Sequence, residues 1–160
     1  MHTSEHCGRL RACLARGLET ARELERVLAE EQAALVRLEM GALEALLASK
    51  RAALAEVADF QRTLEAWLAA AGLAGEHDLP ALAARLCGAS SKAAALAGQL
   101  QDVLLGCHAL SRSNEQLVQR GMGHVQRGLQ LLRALRGEAV DHTYGPDAAP
   151  AGARRTITWA

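Results

Sequence analysis

Apolar residues recur every three or four positions along most of the chain, which is the spacing of one face of an α-helix. In the first segment, from Ser4 to Leu38, the apolar positions are Leu10, Leu14, Ala21, Leu24, Leu28, Leu35 and Leu38. Gly17 and Glu31 occupy the two positions that break this series. The pattern predicts an amphipathic helix over this segment, with Ser4 as its N-cap.

A second helix is predicted from Ala42 to about Ala71, after a short break at Glu39-Met40-Gly41. Gly41 can take the left-handed conformation that often ends a helix. The apolar stripe of this second helix is wider than a two-position seam, which suits a helix that touches more than one neighbour. Because the break is so short, the first two helices should form an antiparallel hairpin.

The segment from Gly72 to Asp78 has the composition of a loop, and Asp78 can cap a short third helix from Leu79 to Cys87. A long last helix should run from about Ser90 to Arg136. Its seam keeps the same spacing over its whole length and consists of Leu96, Leu100, Val103, Cys107, Leu110, Asn114, Leu117, Gly121, His124, Gly128, Leu131 and Leu135.

Four positions of this last seam lack an apolar side chain, namely Asn114, Gly121, His124 and Gly128. Gly121 and Gly128 are one heptad apart and would let a second backbone approach closely. Asn114 is polar, and a polar seam residue typically fixes the register of helix packing. Asn114 either does this within its own bundle or marks a place where a partner completes the seam, and the sequence is compatible with both.

These elements predict an all-α fold: an elongated antiparallel bundle of three long helices plus one short helix. Residues 1–137 should form the bundle domain, with a binding region at about 110–137, and residues 138–160 a flexible, disordered C-terminal tail. The composition agrees, because 50% of the residues are hydrophobic but only 2% are aromatic. Leucine and alanine suit close helix packing, whereas strands favour β-branched and aromatic residues.

Charge and hydropathy narrow the classes of partner. Lys plus Arg equals Asp plus Glu, at 18 each, so the net charge is zero. This balance argues against a nucleic-acid partner, although it leaves room for a local basic patch. We expect no membrane insertion, because no apolar run is long enough to span a bilayer. The N-terminal residues lack the apolar core of a secretory signal, so a cytoplasmic location is expected.

Candidate chemistry is sparse. The four cysteines, Cys7, Cys13, Cys87 and Cys107, form no Cys-x-x-Cys pair and no zinc pattern, so they are expected to be buried or idle thiols. The six histidines include no Glu-x-x-His pair of the kind that helical metal sites use. Nothing resembles a phosphate-binding glycine loop or an activated nucleophile. We therefore predict a protein that is not an enzyme and has no metal or cofactor.

Four stretches together resemble the FlgN family, the cytosolic export chaperones of the flagellar type III secretion system. The first is a helical hairpin around a glycine-containing turn, in residues 28–35, 41–46 and 50–54. The second is Ser113-Asn114-Glu115-Gln116-Leu117-Val118, and the third is the apolar run from Leu129 to Leu135. The fourth is the turn Tyr144-Gly145-Pro146-Asp147. The resemblance extends over about residues 10–147.

The resemblance implies a function. FlgN-like proteins bind the C-terminal helices of hook–filament junction proteins, prevent their premature assembly and deliver them to the type III export gate. Carried over, the client-binding residues would be Asn114, Leu117, Val118, Val125, Leu129, Leu132 and Leu135. Tyr144 would contact the export gate. The chaperone itself would be a monomer or a weak homodimer.

Two other functions compete with this one. A coiled-coil adaptor would use the seam of residues 96–135 to form homo-oligomers and would play a structural role. A helical-bundle enzyme or metal protein would contain bound metal in stoichiometric amount. The chaperone hypothesis depends on one structural condition, which is that the late part of the last seam stays open to solvent until a foreign helix covers it.

Overall fold

The chain folds into helices in the computed structural model, which describes residues 2–75, 78–89 and 91–136. The helices in this part are α1 (His2–Arg37), α2 (Met40–Ala70), α3 (Leu79–Cys87) and α4 (Lys92–Leu135). These ranges contain no strand. The predicted all-α fold of three long helices and one short helix is therefore confirmed, and the predicted tail, residues 138–160, lies outside the described residues.

Two of the helices begin where short polar side chains can cap them. The Asp78 carboxylate accepts a hydrogen bond from the backbone N–H of Ala81 at 2.9 Å, as predicted for α3. The Ser91 hydroxyl accepts one from the N–H of Ala94 at 3.1 Å and starts α4 in the same way. The prediction that Ser4 caps α1 is wrong, because the helical backbone already begins at His2 and an N-cap must lie outside the helix.

The turn between α1 and α2 lies earlier than predicted. Leu38, with φ of 58°, is the residue in the left-handed conformation, whereas Gly41 lies in the first turn of α2. The N–H of Glu39 donates to the carbonyl of Ala34 at 3.0 Å, and the N–H of Leu38 donates to that of Leu35 at 3.3 Å. This pair of bonds is the Schellman arrangement, which satisfies carbonyls at the end of α1. It usually contains glycine, so the glycine at Gly41 was a misleading signal.

Contacts divide the chain into two units, residues 1–120 and residues 121–160. Within the first unit, α1 and α2 are antiparallel, because Arg16 near the start of α1 pairs with Glu56 at 3.9 Å while Glu31 near its end pairs with Lys50 at 2.8 Å. The predicted hairpin is therefore confirmed.

Helix α4 runs in the same direction as α1 within the first unit. The thiol of Cys107 donates to the carbonyl of Ala21 at 3.5 Å, and further along both helices the amide of Asn114 donates to the carbonyl of Leu28 at 2.9 Å. The two residues of each pair are 86 positions apart in the chain, so α1 and α4 are parallel and keep the same register at both contacts.

The core of the first unit is made of side chains from all four helices. Its larger cluster consists of Leu10, Leu14, Leu18, Ala21, Phe60, Leu64, Leu68, Leu82, Ala83, Ala93, Ala97 and Leu100. A smaller cluster continues it with Leu24, Leu28, Ala53 and Cys107. Gly17 breaks the α1 seam because the Phe60 ring occupies the space where its side chain would be. The predicted seam of α1 is therefore a core seam from Leu10 to Leu28, whereas its last member, Leu38, is exposed.

Cysteine placement differs from the prediction of idle thiols. Cys7 and Cys87 form a disulfide between the start of α1 and the end of α3, with Cα atoms 5.4 Å apart and 80 residues between them in sequence. The sequence contains no signal for this pairing, because only the fold brings those two helix ends together. Cys13 and Cys107 are free. Burial raises the pKa of both thiols, and the Glu25 charge raises that of Cys107 further.

Candidate functional site

Burial changes along the α4 seam. Leu100 is fully buried, with 0% of its surface exposed, and Cys107 is also buried. Leu117 is half-buried. Beyond that point the same seam emerges into solvent, since Leu131 is 67% exposed and Leu135 is 84% exposed. The seam is therefore a core element over its first half and an accessible surface over its last turns.

A polar cluster lies where the buried part of the seam ends. The amide nitrogen of Asn114 donates to the carbonyl of Leu28 and to the Glu31 carboxylate, both at 2.9 Å. The ammonium group of Lys50 donates to both oxygens of the same carboxylate at 2.8 Å. This cluster links α1, α2 and α4, and it explains why Glu31 interrupts the apolar series of α1.

Asn114 is itself buried, with 3% of its surface exposed. Its amide oxygen is buried without a hydrogen-bond partner among the described residues. A cavity of about 440 Å³ opens beside it, lined in part by Glu31, Lys50 and Val118. The amide nitrogen, held by α1, gives Asn114 the register-fixing contact that a polar seam residue typically makes.

The second unit contains a set of exposed apolar side chains on α4, here called the C-terminal apolar face. Its members are Met122, Val125, Leu129, Leu131, Leu132 and Leu135, all at least half exposed. At about 100° per residue their positions fall within one half of the helix circumference, so they lie on one side of the helix. Isolated apolar residues on a surface are ordinary, whereas six on one side of a helix form a candidate interaction surface.

The predicted client-binding residues fall into two groups, and the predicted export-gate contact is separate from both. Val125, Leu129, Leu132 and Leu135 all belong to the C-terminal apolar face. In the first unit, Val118 is exposed, Leu117 is half-buried and Asn114 is buried. Tyr144, the predicted export-gate contact, lies outside the described residues.

Sequence reasoning missed Met122, which continues the spacing of Val118 and Val125 and is 60% exposed. The signal was available, because the three residues are separated by four and then three positions. A second exposed apolar group, with Val36, Leu38 and Met40, lies at the turn between α1 and α2 and was also missed. The α1 seam predicted Leu38 to be a packed residue.

The charges around the C-terminal apolar face have one sign. Arg127, Arg133 and Arg136 are exposed, and no Asp or Glu occurs between residues 116 and 137. Within the described part of the chain, none of these three arginines forms an ion pair with a carboxylate. Arg127 instead lies against neighbours of its own helix, donating to the carbonyl of Gly123 at 3.2 Å and lying 3.3 Å from the His124 ring nitrogen.

Two other kinds of site are absent from the described residues. No group of three or more His, Cys, Asp or Glu side chains is placed to hold a metal ion there. No helix in that part is long and apolar enough to cross a membrane.

A bundle whose last helix exposes an apolar face defines a helical binding protein. A family model described as FlgN protein matches residues 1–152 of the sequence. The chain therefore belongs to the FlgN family, as the resemblance indicated, and its general role is that of a flagellar export chaperone. FlgN is a family of chaperones rather than enzymes. No curated protein and no solved structure matches the chain.

Proposed function

We propose that this protein is a cytoplasmic chaperone that binds the C-terminal helices of hook–filament junction proteins on the C-terminal apolar face. It keeps these clients from assembling prematurely and delivers them to the type III export gate. The observation that carries the proposal is the exposure of Val125, Leu129, Leu132 and Leu135 on a helix whose earlier part is core. Helix α4 thus offers a client a preformed, ordered helical surface.

The mechanism rests on the chemistry of that face. An amphipathic helix without its assembly partner exposes apolar surface and tends to associate wrongly. Laying its apolar side on the C-terminal apolar face removes both surfaces from water, at roughly 25 cal/mol for each Å² buried. Because every member of the face is an uncharged apolar side chain, contact with these members needs no buried ion pair. A client can therefore be released when the export gate competes for it.

The remaining predicted residues divide between contact and support. Val118 and Leu117 are further proposed client contacts within the first unit, where Asn114 holds α4 in register with α1. We propose Tyr144 as the contact with the export gate on the basis of the family resemblance alone.

The test is a substitution of Leu132 by Glu in the full chain, followed by pull-down and titration with the junction proteins of the same organism. Leu132 is exposed in the free protein, so the new carboxylate stays hydrated until a client covers it. Bringing that charge into an apolar interface then costs several kcal/mol. We expect loss of junction-protein binding, with the circular dichroism spectrum and melting temperature unchanged.

Gln101→Glu is the matched control, because Gln101 is exposed on α4 within the first unit, outside the apolar face, and receives the same charge. It should bind clients as the wild type does. Client capture by Leu132→Glu at wild-type affinity would refute the proposed surface. A homo-oligomeric adaptor predicts a different outcome, namely a stable oligomer in light scattering that Leu132→Glu dissociates and that ignores junction proteins.

A further inference from the structure

We propose that the helix bound on the C-terminal apolar face is acidic along both of its flanks, so that the client is recognised by charge as well as by apolar contact. The inference rests on the proposed function and specifies the chemistry of its client. It starts from the arginines of the second unit, which have no carboxylate partner within the described residues.

The first observation is that the charge is unevenly distributed along the chain, although the net charge of the whole chain is zero. Helix α1 mixes both signs, and its Arg26 pairs with Glu23 and Glu30 one turn away on either side. The stretch from residue 116 to residue 136 has four arginines and no acidic residue. A surface of one sign attracts partners of the other sign and repels its own.

The second observation is where the arginines lie around the helix. Successive residues are rotated by about 100°, so Arg133 lies about 20° beyond Met122 at one edge of the apolar face. Arg127 lies about 40° beyond Leu131 at the opposite edge. Uncharged Gln126 and Gln130 occupy the side between them, away from the face. The charges are thus placed where the flanks of a packed helix would meet them, as in coiled-coil pairs.

The third observation is the line of small residues within the face. Gly121 and Gly128 lie one heptad apart near its centre, between the Val125 side and the Leu131 side. A side chain added at either glycine would meet nothing within 4 Å, so the free chain does not need glycine there for packing. Glycines at the centre of a face allow another helix backbone to approach closely. The expected occupant is therefore a helix.

Two other occupants fit these observations less well. A second copy of the chain would bring Arg127, Arg133 and Arg136 against the same arginines, and like charges oppose such pairing. An anionic bilayer would tolerate the arginines, but the described part of the face has no aromatic side chain of the kind that interfacial helices insert. A bilayer also gives no reason for the central glycines.

The test uses two synthetic amphipathic peptides of about three heptads that share one apolar stripe. One has Glu at every flanking position and the other has Lys. Each is titrated into the full-length protein and into the Arg127→Gln, Arg133→Gln double variant, with fluorescence anisotropy as the readout, at low and high NaCl. Both arginines are exposed, so the double variant should keep the wild-type melting temperature.

The Glu peptide should bind the wild type and lose about threefold to tenfold in affinity in the double variant, since exposed ion pairs contribute modestly. Its affinity should also fall with added NaCl. The Lys peptide should bind at least about tenfold more weakly. Equal binding of the two peptides, or binding of neither, would overturn the proposal. So would capture of the protein on phosphatidylglycerol vesicles through the same arginines when the Glu peptide does not bind.

The junction proteins separate this inference from the proposed function. If Leu132→Glu abolishes their binding while the double arginine variant leaves it unchanged at every salt concentration, the client surface stands and the acidic flanks are refuted. If the Glu peptide behaves as expected but no junction protein binds the wild type, the proposed function fails and the charge recognition stands.

Discussion

The two parts of α4 have the same sequence rhythm and opposite environments. From Lys92 to Arg120 the helix belongs to the first unit and buries Ala93, Ala97 and Leu100 in its core. From Gly121 onward the rhythm continues, yet Leu131 and Leu135 are exposed. The periodicity of apolar residues therefore specifies which side of a helix is apolar. Whether that side is core or interface depends on how far the neighbouring helices reach.

A polar cluster lies near the boundary between these two parts of α4. The cluster of Asn114, Glu31 and Lys50 closes the buried seam with charges and hydrogen bonds. Buried polar groups need partners, and a polar contact at the end of a core fixes the register of the helix that makes it. The cluster thus sets the position of α4 relative to α1 within the first unit.

The largest expected effect compares the same substitution in both parts of the seam. Leu100→Ala should lower the free energy of unfolding by about 2–5 kcal/mol, because it removes a fully buried side chain and leaves a cavity. Leu131→Ala should change it by less than about 0.5 kcal/mol, since that side chain is already in water. Urea unfolding of the full chain, monitored by circular dichroism, measures both values.

Leu100 and Leu131 are matched controls for each other. They lie on the same helix and in the same seam, and substitution by Ala removes the same atoms from both. Their helix-propensity change is also identical. A loss of about 2 kcal/mol in Leu131→Ala, as large as for a core leucine, would mean that the last part of α4 is covered in the free protein. The C-terminal apolar face would then no longer be a vacant binding surface.

An intermediate effect is expected at the boundary. Glu31→Ala should lower the free energy of unfolding by about 1–3 kcal/mol, because it leaves Lys50 and the buried amide of Asn114 without their shared acceptor. Glu30→Ala is the control, since Glu30 is exposed and pairs only with exposed Arg26 among the described residues. It should cost less than about 1 kcal/mol. Equal losses in the two variants, measured by the same unfolding titration, would show that the cluster does not hold the helices together.

Most of the helical pattern was predictable because it depends on local spacing. Asp78 as an N-cap identified the start of α3, and the leucine and alanine series located all three long helices. The unpredicted features come from tertiary structure. Cys7 and Cys87 are far apart in sequence, so their pairing becomes visible only in the fold. The left-handed residue of the first turn is Leu38, which no propensity rule selects over nearby Gly41.

Part of the candidate site was also predictable, because it too depends on the local spacing of apolar residues. Val125, Leu129, Leu132 and Leu135 were found through spacing and family resemblance, and all four are exposed. Asn114 was predicted to belong to the same set, yet it is buried. The spacing of a seam does not show which of its residues are packed against neighbouring helices. Burial depends on how far α1 and α2 extend, which is a property of three segments together.

The smallest expected effect is that of Gly128→Ala in the second unit, and Gly17→Ala in the first unit is its contrast of opposite sign. Gly128→Ala should raise the free energy of unfolding by about 0.5–1 kcal/mol, because it improves helix propensity and the added methyl group meets no other atom. Gly17→Ala should instead lower it by about 1–3 kcal/mol, because the methyl group collides with the Phe60 ring. Thermal unfolding measures whether each substitution raises or lowers the stability.

Titration with a junction protein then measures the effect of Gly128→Ala on client affinity. If Gly128 is needed for close approach of a client helix, Gly128→Ala should weaken binding although it stabilises the free chain. Opposite changes in stability and binding would be hard to explain by any role of Gly128 within the free protein, whereas unchanged client affinity would show that the bound helix does not lie over the glycines.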